Sequence, residues 1–218
     1  MKSKYKVIAF DMDGTLIDSM YAWRGVFREY LNENQFDVPE ILRDVPEYPV
    51  TWTAKLLAPQ LEARGISYEQ AVEEMYKLVD RHYAADTRAK GGAAEFVRRL
   101  KEKGYKIAFA TATPIRYAST AIRRLGFEGL YDLFVSPEEI GCGKEKRDFF
   151  DRLAQMLGVS NEECVMFEDA LYSMKSAKEA GFAVCAIEDF YAWREKEEIK
   201  RVADRYIACY ADLLEEMD

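Results

Sequence analysis

Apolar residues recur in two different rhythms along the chain, and the change of rhythm divides it. Met20, Trp23, Phe27, Tyr30 and Leu31 are spaced as on one face of a helix, which predicts an amphipathic helix over residues 19–32. Pro39, Pro46 and Pro49 make residues 34–50 irregular or only briefly helical, because each proline lacks a backbone donor. A second helical stretch is expected over 51–64, bent or divided by Pro59 and ended by Gly65. Ser67-Tyr68-Glu69-Gln70 reads as a capping box that starts a helix running to about residue 84. No strand signal interrupts residues 20–85, so the segment reads as an all-helical insertion.

On either side of it the rhythm is that of short apolar runs alternating with helices. Val7-Ile8-Ala9-Phe10 reads as a strand buried on both faces, and further strands are expected over 105–111, 133–135, 165–167, 183–187 and 206–209. Between them, helices are expected up to Gly104 (Phe96, Val97, Leu100), over 116–125, and around Phe149, Phe150, Leu153, Met156 and Leu157. Ser160 and Glu163 have the spacing of another capping box. Strands separated by helices of this length form βαβ units. The predicted fold class is α/β, a Rossmann-like parallel sheet flanked by helices with an inserted all-helical domain: residues 1–18 and 87–218 form the core, residues 19–86 the insertion.

Composition narrows the function classes. At 218 residues and 49% hydrophobic the chain can bury a real core. A net charge of -8 argues against a broad basic face for nucleic acid, so no nucleic-acid partner is expected. No apolar run approaches the roughly 18–20 residues that span a bilayer, and Asp11 interrupts the first run before a signal-peptide core forms. The expectation is a cytoplasmic monomer with no membrane partner. Cys142, Cys164, Cys185 and Cys209 are widely spaced and read as reduced core residues rather than a zinc site or redox pair.

The candidate chemistry sits where strands end. In a parallel sheet all carboxyl ends share one edge, and ligands bind there. The first run ends in Asp11 and Asp13, the second in Thr111, and the run before residue 168 in Glu168 and Asp169. Converging carboxylates invite a hard divalent cation such as Mg²⁺, and the loop Gly141-Cys142-Gly143-Lys144 can bring a balancing charge to the same edge. An EF-hand starting at Asp11 fails, because Leu16 and Ala22 stand where a glycine and a glutamate are needed.

These residues resemble the haloacid dehalogenase superfamily, in its phosphatase branch with a helical cap after the first motif. D-M-D-G-T-L-I-D from Asp11 resembles the first motif, A-T-A-T from Ala110 the second, G-K-E-K-R-D-F-F from Gly143 the third and F-E-D-A from Phe167 the fourth. The resemblance implies a Mg²⁺-dependent phosphatase for a small phosphorylated metabolite. In it Asp11 becomes an aspartyl phosphate, Asp13 is the general acid/base, Thr111 and Ala112 bind the phosphoryl group, and Lys144 neutralises charge. Asp11, Asp13, Glu168 and Asp169 are the implied metal residues. Two departures stand out: Lys146 rivals Lys144 because the usual prolines are missing, and Ser173 stands where a glycine is usual.

The resemblance also implies that the insertion selects the substrate, with Trp23 and Arg24 as its candidate substrate-binding residues and Trp52, Lys55 and Arg64 as further ones. His82, the single histidine, is expected to be structural. Closure of the insertion is expected to depend on linkers over 15–19 and 86–90. The alternatives are a mutase like β-phosphoglucomutase, which usually carries a histidine where Trp23 stands, and a non-catalytic metabolite-binding protein on the same fold. Dehalogenase and phosphonate hydrolase chemistry fit less well, since Asp13 suits phosphoryl transfer and Lys55 is a poor Schiff-base candidate.

Overall fold

The computed structural model describes residues 4–38 and 50–217. Most of the segment expected to be irregular lies outside the described residues. The backbone divides into two units, Met1–Asp18 with Arg88–Asp218, and Ser19–Thr87, each boundary within a residue of the expected one.

The first unit is built on β1 (Val7–Phe10), whose four residues are all buried. A two-residue strand β2 (Ile17–Asp18) follows and pairs antiparallel with β3 (Arg88–Ala89), placing Ile17 opposite Ala89. The sequence carries no sign of this ribbon, since two-residue strands have no periodicity. The helical unit between these strands contains α1 (Met20–Glu33), α2 (Val50–Leu56), α3 (Ala58–Ala63) and α4 (Tyr68–Ala85). The expected division near Pro59 occurs at Leu57, so that Pro59 falls in the first turn of α3, where its missing N–H has no helical partner to lose. The capping box of α4 forms as expected, Ser67 Oγ accepting from Gln70 N at 3.1 Å and Gln70 Oε1 accepting from Ser67 N at 2.9 Å.

After α5 (Ala93–Glu102) come β4 (Lys106–Ala110), α6 (Ile115–Arg124), β5 (Leu133–Val135), the short α7 (Pro137–Ile140) and α8 (Arg147–Leu157). The chain finishes with β6 (Cys164–Glu168), α9 (Leu171–Ala180), β7 (Ala183–Ile187), α10 (Lys196–Val202), β8 (Arg205–Ile207) and α11 (Tyr210–Glu215). The last strand stops two residues before the expected end, because Cys209 serves as the N-cap residue of α11.

Six strands form one parallel sheet in the order β5-β4-β1-β6-β7-β8, with β1 at its centre. Alternate residues of β1 face opposite sides. Val7 and Ala9 join Ala108, Met166, Phe149, Phe150, Leu153 and Met174 in one buried layer. On the other side Phe10 stacks on Phe167 at 4.8 Å and meets Phe96 and Tyr210, each such buried ring contributing roughly 1.5–3 kcal/mol. Phe10 lies opposite both Phe109 and Phe167, so β1, β4 and β6 end level with one another. That register brings the polar residues just beyond the strands together.

In the helical unit α1 and α4 bury Val26, Phe27, Tyr30 and Leu31 with Met75, Leu78, Val79 and Tyr83. No helix among the described residues is long and apolar enough to cross a membrane.

Candidate active site

Asp11 is the first residue past β1 and only 5% exposed. Its backbone N–H donates to Phe167 O at 2.9 Å, which ties the end of β1 to β6. Met12 then accepts the amides of Leu16 and Ile17 at 2.9 and 3.0 Å, curling the chain into a tight loop. Gly14 sits in that loop at φ 82°, and a Cβ there would lie 2.2 Å from Asp169 Oδ2. Only glycine allows both the left-handed backbone and the close approach of the carboxylate. Thr15, buried in the same loop, donates its hydroxyl to Asp169 Oδ1 at 3.0 Å.

Lys144 arrives from the loop after α7 and is 2% exposed. Its ammonium lies 2.6 Å from Asp11 Oδ1 and 2.6 Å from Glu168 Oε2. The rival Lys146 is exposed and stands at the N-cap of α8, so geometry places Lys144 and not Lys146 beside the strand ends. Burial alone would lower the Lys144 pKa, but the charges of Asp11 and Glu168 outweigh it and hold the ammonium protonated.

Asp11, Glu168 and Asp169 present carboxylate oxygens within 4.8 Å of one another, all three buried. Burial, then the charge of Glu168, pushes the Asp11 carboxyl up to about 8 against the pull of Lys144. Burial, Glu168 and Asp11 raise Asp169 well above the usual carboxylate range. With all three ionised, the carboxylates would outweigh the one lysine by two charges, a deficit that protons relieve on Asp11 and Asp169 where no cation does. Oxygen donors with that deficit suit a hard divalent cation, so the residues fit the metal that the fold implies.

Asp13 is half-buried and its Oδ2 accepts from Thr113 Oγ1 at 2.8 Å. Thr111 is fully buried, and its hydroxyl accepts from Thr113 N at 3.0 Å. Ala112, between them, is exposed. The expected residues Asp11, Asp13, Thr111, Lys144, Glu168 and Asp169 are therefore all carried at one sheet edge. Several supporting residues are not evident from sequence. Thr15 and Thr113 lie inside motifs whose other members carry the clearer chemical signal, whereas the pair formed by Lys90 and Asp189 at 2.8 Å, beside Asp169, has no sequence signal at all.

The residues expected to select substrate belong to the helical unit. Trp23 is half-buried, donates from Nε1 to Tyr83 Oη at 3.2 Å and lies edge-on to Tyr76. Arg24 follows it on α1, half-buried. Arg64 is taken up by the carbonyls of Asn34 and Gln35 and the face of Phe36. Trp52 is half-buried and Lys55 exposed on α2. His82 is held by Glu29 and Asp86 at 3.2 Å each, a structural setting.

Comparison with known proteins agrees with this arrangement. Residues 5–181 match the haloacid dehalogenase-like hydrolases. The chain belongs to that family. Among curated relatives, a phosphorylated carbohydrates phosphatase of Thermotoga maritima is 31% identical over 183 residues, covering 81% of this chain and 82% of its own length. A validoxylamine A 7'-phosphate phosphatase of Streptomyces hygroscopicus subsp. limoneus is 28% identical, with 81% and 83% covered. Among solved structures, CbbY of Rhodobacter sphaeroides in complex with phosphate superposes with a TM-score of 0.79 at 22% identity, covering 96% of each chain. The enzyme is a haloacid dehalogenase-like hydrolase of the phosphatase type, and its cluster of acidic residues can hold a metal ion.

Proposed function

We propose that this hydrolase releases phosphate from a small phosphorylated metabolite, a phosphorylated sugar or sugar alcohol, through a covalent intermediate on Asp11. The observation that carries the reading is the Lys144 ammonium 2.6 Å from Asp11, an anchored cation beside a buried carboxylate. A carboxylate is a weak nucleophile toward an anionic phosphate unless nearby positive charge offsets the repulsion. Phosphate monoester hydrolysis needs up to ~10²¹-fold acceleration, supplied chiefly by positioning and charge.

In the first step an oxygen of Asp11 attacks phosphorus while the bond to the ester oxygen breaks, and protonated Asp13 gives its proton to the departing alkoxide. In the second, Asp13 takes a proton from water as the water oxygen attacks phosphorus. The acyl phosphate bond then breaks, leaving orthophosphate and the Asp11 carboxylate. Thr113 fixes the orientation of Asp13 through its hydroxyl. Thr111 and the amide of Ala112 bind the phosphoryl oxygens. Asp11, the Asp13 carbonyl and Asp169 would hold Mg²⁺, which supplies charge neutralisation of the phosphoryl group when bound.

We assign substrate selection to the helical unit, with Trp23 and Arg24 as its specificity residues. Support for the substrate class comes from the relatives, whose names specify phosphorylated carbohydrates, validoxylamine A 7'-phosphate and, at 26% identity in Escherichia coli, fructose 1-phosphate. The test is release of orthophosphate from a panel of phosphorylated sugars, sugar alcohols and phosphoglycolate with Mg²⁺. Turnover of a sugar phosphate, lost in Asp11→Asn, is the expected result; no turnover across the panel, or full activity in Asp11→Asn, overturns the reading.

A further inference from the structure

Ser173 occupies the third position of α9 and is completely buried. Its hydroxyl donates to Glu168 Oε2 at 2.6 Å, the same oxygen that Lys144 Nζ approaches at 2.6 Å. The other oxygen, Oε1, accepts the backbone amides of Asp169 and Ala170, both at 3.1 Å. A carboxylate offers about four acceptor positions, two on each oxygen. All four on Glu168 are taken. Glu168 therefore stands among the acidic cluster with no acceptor position left for a cation, whereas the Asp169 side chain accepts the Thr15 hydroxyl on Oδ1 at 3.0 Å and keeps acceptor capacity for a metal.

We propose that Ser173 is a positioning residue that keeps Glu168 out of the metal's coordination shell and dedicates it to Lys144. The hydroxyl takes the acceptor position on Oε2 that a cation would otherwise claim. Glu168 then serves two tasks: it anchors the ammonium beside Asp11, and it caps the start of α9 so that Asp169 is presented correctly. With a side chain lacking the hydroxyl at position 173, Oε2 has a vacant position and Glu168 can turn toward the cation, drawing away from Lys144. The nucleophile would then lose part of its neutralising charge while the metal gains a ligand.

The proposal rests on the phosphatase reading, and the two fail separately. Mn²⁺ binding is followed by the loss of its free-ion electron paramagnetic resonance signal, and hydrolysis by para-nitrophenyl phosphate turnover, in wild type, Ser173→Ala, Ser173→Gly and Asp169→Asn. If wild type neither binds Mn²⁺ nor turns over a phosphate ester, the phosphatase reading itself falls. The expected result is a split: Ser173→Ala lowers kcat about tenfold while its Mn²⁺ affinity is unchanged or higher, whereas Asp169→Asn weakens Mn²⁺ binding about 10–100-fold. Ser173→Gly, which adds no bulk, shows the same split and stands in should the alanine variant fold poorly. Parallel loss of kcat and Mn²⁺ affinity in both Ser173 variants would mark a merely structural role and overturn the proposal. Wild-type kcat in both variants would overturn it equally.

Discussion

The strand-end site and the helical unit treat charge in opposite ways. At the strand ends Asp11, Lys144, Glu168 and Asp169 are each at most 6% exposed and are partnered chiefly by one another and by hydroxyls of the loops around them. In the helical unit Arg81 meets Glu29 and Glu33 at 3.0 and 2.6 Å, with side chains between a third and three-fifths exposed. Water supports the second set and is excluded from the first. Exposed pairs contribute little because solvent screens them, and their residue types can be exchanged at small cost. Buried charges tolerate no such exchange, since removing one partner strands the other. The contrast separates a site whose charges depend on one another from a surface whose charges depend on water.

The sharpest way to break the contrast is at the proposed nucleophile, Asp11. Asp11→Asn should lower kcat by about 10⁴-fold or more, measured as orthophosphate release with Mg²⁺, while the helical unit's far-ultraviolet circular dichroism is unchanged. Next is the cation. Lys144→Ala leaves the buried carboxyls of Asp11 and Glu168 without their positive partner, so a destabilisation of about 3–5 kcal/mol is expected in urea, with kcat down about 10²–10³-fold. Lys146→Ala, on the surface, should match wild type in both measurements, and equal effects from the two lysines would dissolve the distinction between them.

A smaller effect separates burial from pairing. In chelator the folded state holds a proton on Asp11 up to about 8, whereas the unfolded chain releases it near 3.8. The folded form thus binds the extra proton between those values, and stability from this group falls as pH rises through that window. Asp11→Asn removes the group, so in chelator its Tm should exceed that of wild type by a few degrees at pH 8, with the gain vanishing toward pH 4. Mg²⁺ should raise the wild-type Tm more at pH 8 than at pH 5, and a gain independent of pH would contradict the assignment. The smallest effects belong to the helical unit. Arg81→Ala should cost about 0.2–1 kcal/mol in thermal unfolding and leave para-nitrophenyl phosphate turnover unchanged, and His82→Ala should likewise leave that turnover intact.

The same contrast governs what could be read from the chain. β5 and β7 match their expected bounds, β5 because Asp132 and Ser136 interrupt its apolar run sharply and β7 because Gly181 ends the helix before it and Glu188 ends its run. Asp11, Asp13, Glu168 and Asp169 are legible because several carboxylates set at the ends of buried strands repel one another unless a cation or a proton relieves them. Lys144 could be separated from Lys146 only by register, and geometry shows why the distinction matters: two residues along the loop is the difference between a buried ammonium and an exposed one. Ser173 stands out in sequence as a departure, but its purpose lies in the Glu168 oxygen it meets, which no local pattern marks. Lys90 and Asp189 meet across two chain segments that no local pattern links. In the helical unit the periodicity located the helices, but Arg24, Arg64 and Lys55 look alike in sequence, and the partners that tie down Arg64 are backbone carbonyls, which sequence patterns do not mark.

The central place of β1 also dictates when the enzyme comes into being. Val7 pairs with Lys106 on one side and Cys164 on the other. Loops that long close slowly, and no local contact rewards the strand for waiting. During synthesis Asp11 is therefore made well before the partners of its strand, which is completed only after β6 has been made. The helical unit, whose residues are contiguous, can form well before then. A ribosome that stalls short of β6 leaves a chain with Asp11 but without the strand and the two carboxylates that complete the cluster, so the order of the elements keeps the site apart until β6 has been made.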